Sequence, residues 1–329
     1  LEPPTGATGG VTHVEVTATD RVGLYRITFA DDATDPTILV PLAHAHPSIE
    51  VFDASVSVDA TAREIEGHAR YVGGYSGRFA GVTMHFVMRF DRAIRRAGTF
   101  GPGTVDDTQT MRTGSDAGAF VSFDPAAGRV VTVAVAFSYI DAAHARAALD
   151  RETPTLDFGA TRTTLEAEWE ALLGTIEIDA RTHRDFRLFY TSLYHSLLMP
   201  SLATELDAAG VASYRGIDMN VHALPTGAAA FTYYTDFSLW DTYRTMHPLV
   251  GVLFPDVARD FVRTLMAMAE DSGTYPRWPL GTGETRGMLG DLGVGRRVVE
   301  HADLIELTPV GAVADGGVPE ALRGTDGVR

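Results

Sequence analysis

A chain of 329 residues with 45% hydrophobic content is long enough to bury a sizeable core and to form two domains. Its 27 basic and 43 acidic residues leave a formal charge of −16, which disfavours nucleic acid and anionic membrane as partners. No apolar run reaches the roughly 20 residues that span a bilayer, and the lack of cysteine excludes disulfides and thiolate metal sites without fixing the compartment. The start, LEPPTGATGG, has no basic n-region, no apolar h-region and no initiator Met, and reads as a processed or incomplete beginning.

From Val11 to about Phe137 the hydrophobic period is two. Val14, Val16 and Ala18 alternate with Glu15, Thr17 and Thr19, and Tyr25, Ile27 and Phe29 alternate with Arg26 and Thr28. Val82, Met84, Phe86, Met88 and Phe90 form a stripe opposite Thr83, His85 and Arg89, and Val131, Val133, Val135 and Phe137 form another. Turn clusters such as Ala30-Asp31-Asp32, Gly73-Gly74 and Asp124-Pro125 punctuate them. Successive strands without intervening helices predict an antiparallel sandwich of two sheets. The Gly- and Thr-rich stretch from Ala97 to Gly118 reads as a long loop.

The period then becomes helical. His144 to Leu149 predicts a short helix, and Thr153-Pro154 opens the connection that follows. A helix capped by Thr164 carries Leu165, Trp169, Leu172 and Leu173 on one face, so Trp169 reads as core. Phe186, Tyr190, Leu193 and Leu197 repeat at helical spacing until Pro200. A third helix starts near Thr235 or Asp236 and ends or kinks by Pro248; a fourth, with Val257, Phe261, Leu265 and Met268 on one face, follows Pro255. Strands followed by helices predict two domains, residues 1–150 as the sandwich and 151–291 as a helical domain, with 292–329 a tail of scattered Gly and Pro lacking helical period.

The chemistry concentrates in Phe231 to Val250, where Tyr233, Tyr234, Phe237, Trp240 and Tyr243 surround Asp236, Asp241 and Arg244 in a chain with three tryptophans. A pyranose offers apolar C–H patches to an aromatic face and a rim of hydroxyls to a carboxylate, so this mixture suits a sugar. The same spacing of aromatics also suits a helix face buried in a core, but Asp241, directly after a large aromatic, must be paired, solvated or costly. The link from Leu202 to Ala230, with Asp207, Gly210, Tyr214, Arg215, Asp218, Asn220 and His222, passes by itself for a polar surface loop. His195 and His247 read as structural imidazoles. Trp278 and Glu284 fit either a site or a surface loop, and no HExxH, EF-hand, phosphate-loop or nucleophile-elbow pattern occurs.

Three ordered blocks carry a family resemblance: Ser238-Leu239-Trp240-Asp241-Thr242-Tyr243-Arg244 with His247-Pro248-Leu249, Phe189 to Ser196 ahead of Pro200, and Gly273-Thr274-Tyr275-Pro276-Arg277-Trp278. The chain resembles the glycoside hydrolase family 92 α-mannosidases over about Val11 to Asp291. The resemblance implies an N-terminal β-sandwich, here lacking its start, followed by the first helices of an (α/α)6 toroid. It also implies an exo-acting, inverting, Ca²⁺-dependent enzyme, secreted, periplasmic or on the cell surface, that removes terminal mannose from a mannose-containing oligosaccharide or N-glycan. Trp240 and Asp241 match the family's Trp-Asp pair, with Asp241 accepting mannose hydroxyls, Thr242 lining the same subsite, Arg244 pairing with a carboxylate and Trp278 nearby. The family's acid, base and calcium ligands are expected mainly in sequence this chain lacks. The expectation is therefore an inactive partial chain whose tail is compatible with an end out of frame. Two other readings stay open: a carbohydrate-binding sandwich with a helical scaffold, and an (α/α)6 glycosidase of another sugar specificity.

Overall fold

The computed structural model describes residues 10–43 and 45–287; the expectation for 292–329 lies outside them. The chain opens with strands β1 (His13–Ala18), β2 (Val22–Thr28), β3 (Thr37–Pro41), β4 (Ile49–Asp59), β5 (Glu64–Gly73), β6 (Val82–Phe90), β7 (Arg96–Gly101), β8 (Thr104–Asp106), β9 (Met111–Thr113), β10 (Gly118–Ser122) and β11 (Val130–Ser138). They form the expected antiparallel sandwich: a seven-stranded sheet in the order β1-β2-β11-β6-β5-β4-β9 faces a four-stranded sheet in the order β3-β10-β7-β8. The alternation read from sequence puts Phe86, Phe90, Val131, Val133 and Val135 on one inner face against Ala119, Val121 and Phe123 on the other. The Phe90 and Phe123 rings meet at 5.5 Å.

Two expectations are corrected. The stretch from Ala97 to Gly118 is not a loop but contributes β7, β8 and β9. Its glycines read as turn signals, yet they serve cross-strand rings. A Cβ on Gly118 would come 2.3 Å from the Phe100 Cζ, and one on Gly98 would come 2.7 Å from the Phe120 Cε1, so the glycines are the space those rings occupy. In β1 the period of two is right, but Val14 and Val16 are 49% and 61% exposed, since an edge strand can carry an apolar stripe that nothing covers.

Helix α1 (Ala142–Glu152) starts at Asp141, whose Oδ1 accepts from the His144 amide at 2.8 Å. It covers the outer face of the seven-stranded sheet, packing Ala145, Ala148 and Leu149 on Val22, Leu24, Val87, Ala134 and Ala136. Ion pairs fasten it: Arg146 to Glu64 and Glu66 at 3.1 and 2.6 Å, and Arg89 to Glu64 and Asp150 at 2.6 and 2.7 Å.

Helix α2 (Phe158–Leu173) begins earlier than the sequence suggested, because Asp157, not Thr164, accepts the free amide of the first turn. Helix α3 (His183–Ser196) is capped by Thr182. Short strands follow: β12 (Ser201–Leu202), β13 (Glu205–Leu206), β14 (Ala212–Arg215), β15 (Val221–Ala223) and β16 (Tyr234–Thr235). The single third helix expected there is instead two, the one-turn α4 (Leu239–Thr242) and α5 (Met246–Leu253). Pro248 does not end α5; it lies in its first turn, where no backbone N–H is needed. Helix α6 (Pro255–Ser272) follows as expected and leads to the hairpin of β17 (Pro279–Leu280) and β18 (Gly283–Glu284). A second core gathers Tyr214, Tyr233, Phe237, Leu239, Val250, Phe261, Leu265 and Met268.

Charged groups join this part to the sandwich. The buried Glu205 carboxylate accepts from the Tyr139 amide at 2.8 Å and from the Ser138 hydroxyl, with Arg21 at 3.7 Å. Arg215 donates to the carbonyls of Tyr139 and Ile140 at 2.5 and 3.2 Å and to that of Met219 at 2.7 Å. A buried carboxylate and a half-buried guanidinium at a junction are stable only when satisfied in this way, and removing one partner strands the other.

Candidate functional site

Between the sandwich and the second core, β16 makes an abrupt exit. Asp236 adopts a left-handed conformation (φ 64°), which Asp tolerates better than most residues, and turns the chain into α4. Its Oδ1 accepts from the Gly281 amide at 2.9 Å, while the Thr235 hydroxyl donates to the Gly281 carbonyl at 2.6 Å. The β17–β18 hairpin is thereby tied to the start of the Trp-Asp segment. Burial first, and Asp236 second, push the nearby Tyr139 hydroxyl up to about 12.

Helix α4 presents what the core does not use. Leu239 is buried, whereas Trp240 is 48% exposed and Asp241 is exposed beside it. The Ser238 hydroxyl donates to the Asp241 Oδ2 at 2.6 Å, and the Thr242 hydroxyl donates back to the Ser238 carbonyl at 2.9 Å. Asp241 is thus oriented but keeps acceptor capacity facing solvent. Of the two readings open for the aromatic run, core packing holds for Tyr233, Phe237 and Leu239, and not for Trp240. Arg244 differs from expectation: among the described residues no carboxylate pairs with it, and its guanidinium folds over the Tyr243 ring at 5.0 Å with its Nε on the Tyr243 hydroxyl.

Trp278 lies between α6 and β17. Its ring packs on Tyr75 of the sandwich at 4.4 Å, and Arg78 lies over the other partner of that pair, 5.4 Å from the Tyr75 centroid. Trp240 instead neighbours Tyr243 at 6.1 Å. Tyr75 and Arg78 were missed from sequence, since an isolated Tyr and Arg in a turn carry no periodic signal. Glu284 is no free carboxylate: it accepts from the amides of Arg277 at 2.8 Å, Arg286 at 2.7 Å and Trp278 at 3.3 Å, and so clasps the Trp278 loop.

His195 lies exposed on α3, its ring 5.6 Å from that of Tyr194. His247 packs between Phe237 and Phe261, its Nε2 is buried without a partner, and burial pushes the imidazole down to about 4. The polar link is more organised than a surface loop. Asp218, at the β14–β15 turn, His222 on β15 and Asp271 near the end of α6 form the one group among the described residues able to hold a metal ion. As a calcium site it does not fit: Ca²⁺ takes six to eight oxygens, and this set gives two carboxylates and an imidazole nitrogen.

The sequence matches two domain descriptions, the Glycosyl hydrolase family 92 N-terminal domain over residues 8–138 and the Glycosyl hydrolase family 92 catalytic domain over residues 144–296. No curated protein matches the chain. Among solved structures, the inverting family 92 mannosidase BT2199 of Bacteroides thetaiotaomicron VPI-5482 is 26% identical with a TM-score of 0.78, over 91% of this chain and 38% of that one. The α-mannosidase BT3965 of Bacteroides thetaiotaomicron, in complex with mannoimidazole, is 26% identical with a TM-score of 0.78, over 90% of this chain and 38% of its own. The family 92 hydrolase ccman5 is 32% identical with a TM-score of 0.70, over 82% of this chain and 34% of its own. The chain therefore spans between about a third and two fifths of the length of these structures.

Proposed function

Since the chain belongs to glycosyl hydrolase family 92, we propose that it supplies one wall of the mannose-binding site of an inverting exo-α-mannosidase. The observation that carries this reading is the exposed Trp240 and Asp241 side by side on α4, with Ser238 fixing the carboxylate. Trp240 covers the C–H face of a terminal mannose, and Asp241 accepts two of its hydroxyls. An acceptor held in one orientation in this way favours sugars whose hydroxyls point toward it. Thr242 holds the turn of α4, and Arg244 lies over Tyr243 at the rim. Trp278, clasped by Glu284, stands at the sandwich side of the junction, where a neighbouring sugar of a mannose-containing oligosaccharide or N-glycan would lie.

Inversion needs an acid to protonate the leaving oxygen and a base to activate water, two carboxyls separated by the width of that water. In this reading neither is Asp241, which grips hydroxyls, or Glu284, whose oxygens are held by amides. The calcium that the family resemblance implies would supply, when bound, a hard cation for vicinal diols in the whole enzyme. The polypeptide by itself is accordingly expected to bind without turnover.

Calorimetry with mannoimidazole tests the reading. Micromolar or weaker binding by the chain, at least tenfold loss in Asp241→Ala and in Trp240→Ala, and no binding of a gluco-configured analogue are expected. No binding by the unaltered chain, or equal affinity in Asp241→Ala, overturns it. Hydrolysis of an α-mannoside by the purified chain overturns the placement of acid and base elsewhere. The rival sandwich-module reading is less favoured: the groove on the four-stranded sheet, lined by Leu39, Arg96, Phe100, Val105 and Phe120, offers no carboxylate or amide side chain to recognise hydroxyls.

A further inference from the structure

The β14–β15 turn and the end of α6 meet away from the Trp-Asp corner, and their charges are arranged in a way that sugar binding does not explain. Tyr214 and His222 are cross-strand partners on the hairpin, with rings stacked at 5.2 Å. The His222 Nε2 lies 3.1 Å from both oxygens of Asp218, and its Nδ1 lies 3.5 Å from the Asp271 Oδ1. A neutral imidazole has one N–H, so with a carboxylate at each nitrogen one contact lacks a positive group unless a second proton or a metal cation supplies it. The three side chains are only 29%, 17% and 12% exposed for His222, Asp218 and Asp271, so solvent does little to screen the two negative charges. Burial raises the Asp218 pKa, but hydrogen bonds from Asn220 and His222 outweigh it and hold the carboxyl ionised.

The surroundings of the cluster point to an occupant. Gly216 does not have the positive φ that would demand glycine, yet a Cβ there would lie 2.7 Å from the Asp218 Oδ1, 3.1 Å from the Asp271 Oδ2 and 3.1 Å from the His222 Cδ2. The glycine thus lets the backbone pass close against oxygens of two different carboxylates. Beside it, the Tyr233 ring stacks on Tyr214 at 3.8 Å and is fully buried; its hydroxyl has no hydrogen-bond partner and feels the charges of Asp271 and Asp218. A buried hydroxyl without a partner is unusual, and a cation with its bound water supplies one.

We propose that Asp218, His222 and Asp271, whose ligand atoms lie within 4.8 Å of one another, bind a borderline first-row divalent cation of the Zn²⁺ or Mn²⁺ kind beside Gly216. Imidazole nitrogen with two carboxylates is a donor set for such ions and not for Ca²⁺. Tyr214, donating to the Asp271 Oδ2 at 2.9 Å, and Asn220, donating to the Asp218 Oδ2 at 2.7 Å, orient the ligands from behind. The bound ion ties the hairpin to the end of α6. The site is separate from the proposed sugar surface, so the two readings fail independently.

The test uses the whole chain, treated with EDTA, dialysed and titrated at neutral pH with ZnCl₂, MnCl₂ and CaCl₂, reading bound metal by elemental analysis and thermal unfolding in parallel. About one equivalent of zinc or manganese is expected, with a raised Tm and at least tenfold weaker Ca²⁺ binding. His222→Gln and Gly216→Ala should each weaken zinc binding at least tenfold. Nuclear magnetic resonance of the His222 ring in the unaltered chain serves as a readout that no variant can confuse. A doubly protonated imidazolium that persists in excess zinc, the absence of stoichiometric uptake, or uptake undiminished in both variants overturns the proposal.

Discussion

The sandwich and the helix pair α2–α3 carry amphipathic patterns of similar clarity, and they meet different fates. In the sandwich, the stripes of β6 and β11 close on Ala119, Val121 and Phe123 to form a continuous core. Along α2 and α3 only Phe158 and Leu193 are buried; Leu188 is 64% exposed, and Trp169, read from sequence as core, is only half-buried against Tyr194 at 4.6 Å. Periodicity says which face of an element is apolar. It does not say what covers that face, because covering is a property of the other elements present.

The largest expected effect marks the closed side of this comparison. Phe90→Ala should destabilise the sandwich by about 3–5 kcal/mol, since the ring is buried on all sides and the cavity cannot collapse. Urea unfolding followed by circular dichroism measures it, and a change below about 1 kcal/mol would mean the sandwich core is not as closed as described.

The second core should respond to acid. The His247 imidazole is held below its unfolded value, so the folded state favours the neutral ring. Its contribution is complete above the ordinary histidine pKa and is lost as pH falls from about 6.5 to about 4. The loss is on the order of 2–3 kcal/mol. Comparing unfolding midpoints at neutral and acid pH for the unaltered chain and His247→Leu checks it; the variant should lose that part of the pH dependence.

Smaller still is the clasp on the Trp278 loop. Glu284→Ala leaves three amides without their acceptor, a change of about 1–3 kcal/mol. Faster hydrogen exchange at 277, 278 and 286 with altered tryptophan emission is the expected signature, and Glu284→Gln should restore part of the protection. At the open end of the comparison, Leu188→Ser on α3 should move stability by no more than about 0.5 kcal/mol, because little area is removed from water there. A loss comparable with that of Phe90→Ala would show that the α3 face is covered in solution.

That Asp241 would not be wholly core was legible in the sequence. A Trp-Asp pair inside an aromatic run cannot be wholly core, because a carboxylate must be solvated or paired, and Asp241 is exposed and held by Ser238. Arg244 was not legible: its pairing with Tyr243 in place of a carboxylate depends on which long side chains come within reach. Nor was the third helix, which α4 and α5 share: Asp236 at positive φ delays its start, and Thr245, at φ −127° and ψ −72°, separates its two parts. The grouping of Asp218 and His222 with Asp271 joins residues far apart in the chain, which local spacing cannot express.

By itself the sequence determined the order of strands before helices, the apolar face of each, and the residues whose chemistry suits a sugar, because period and side-chain type are local properties. Tertiary structure decided which apolar faces found a cover, which carboxylates were left free and which were consumed as clasps. Those outcomes depend on distances between segments remote in the chain, and burial and charge pairing act through distance and not through order.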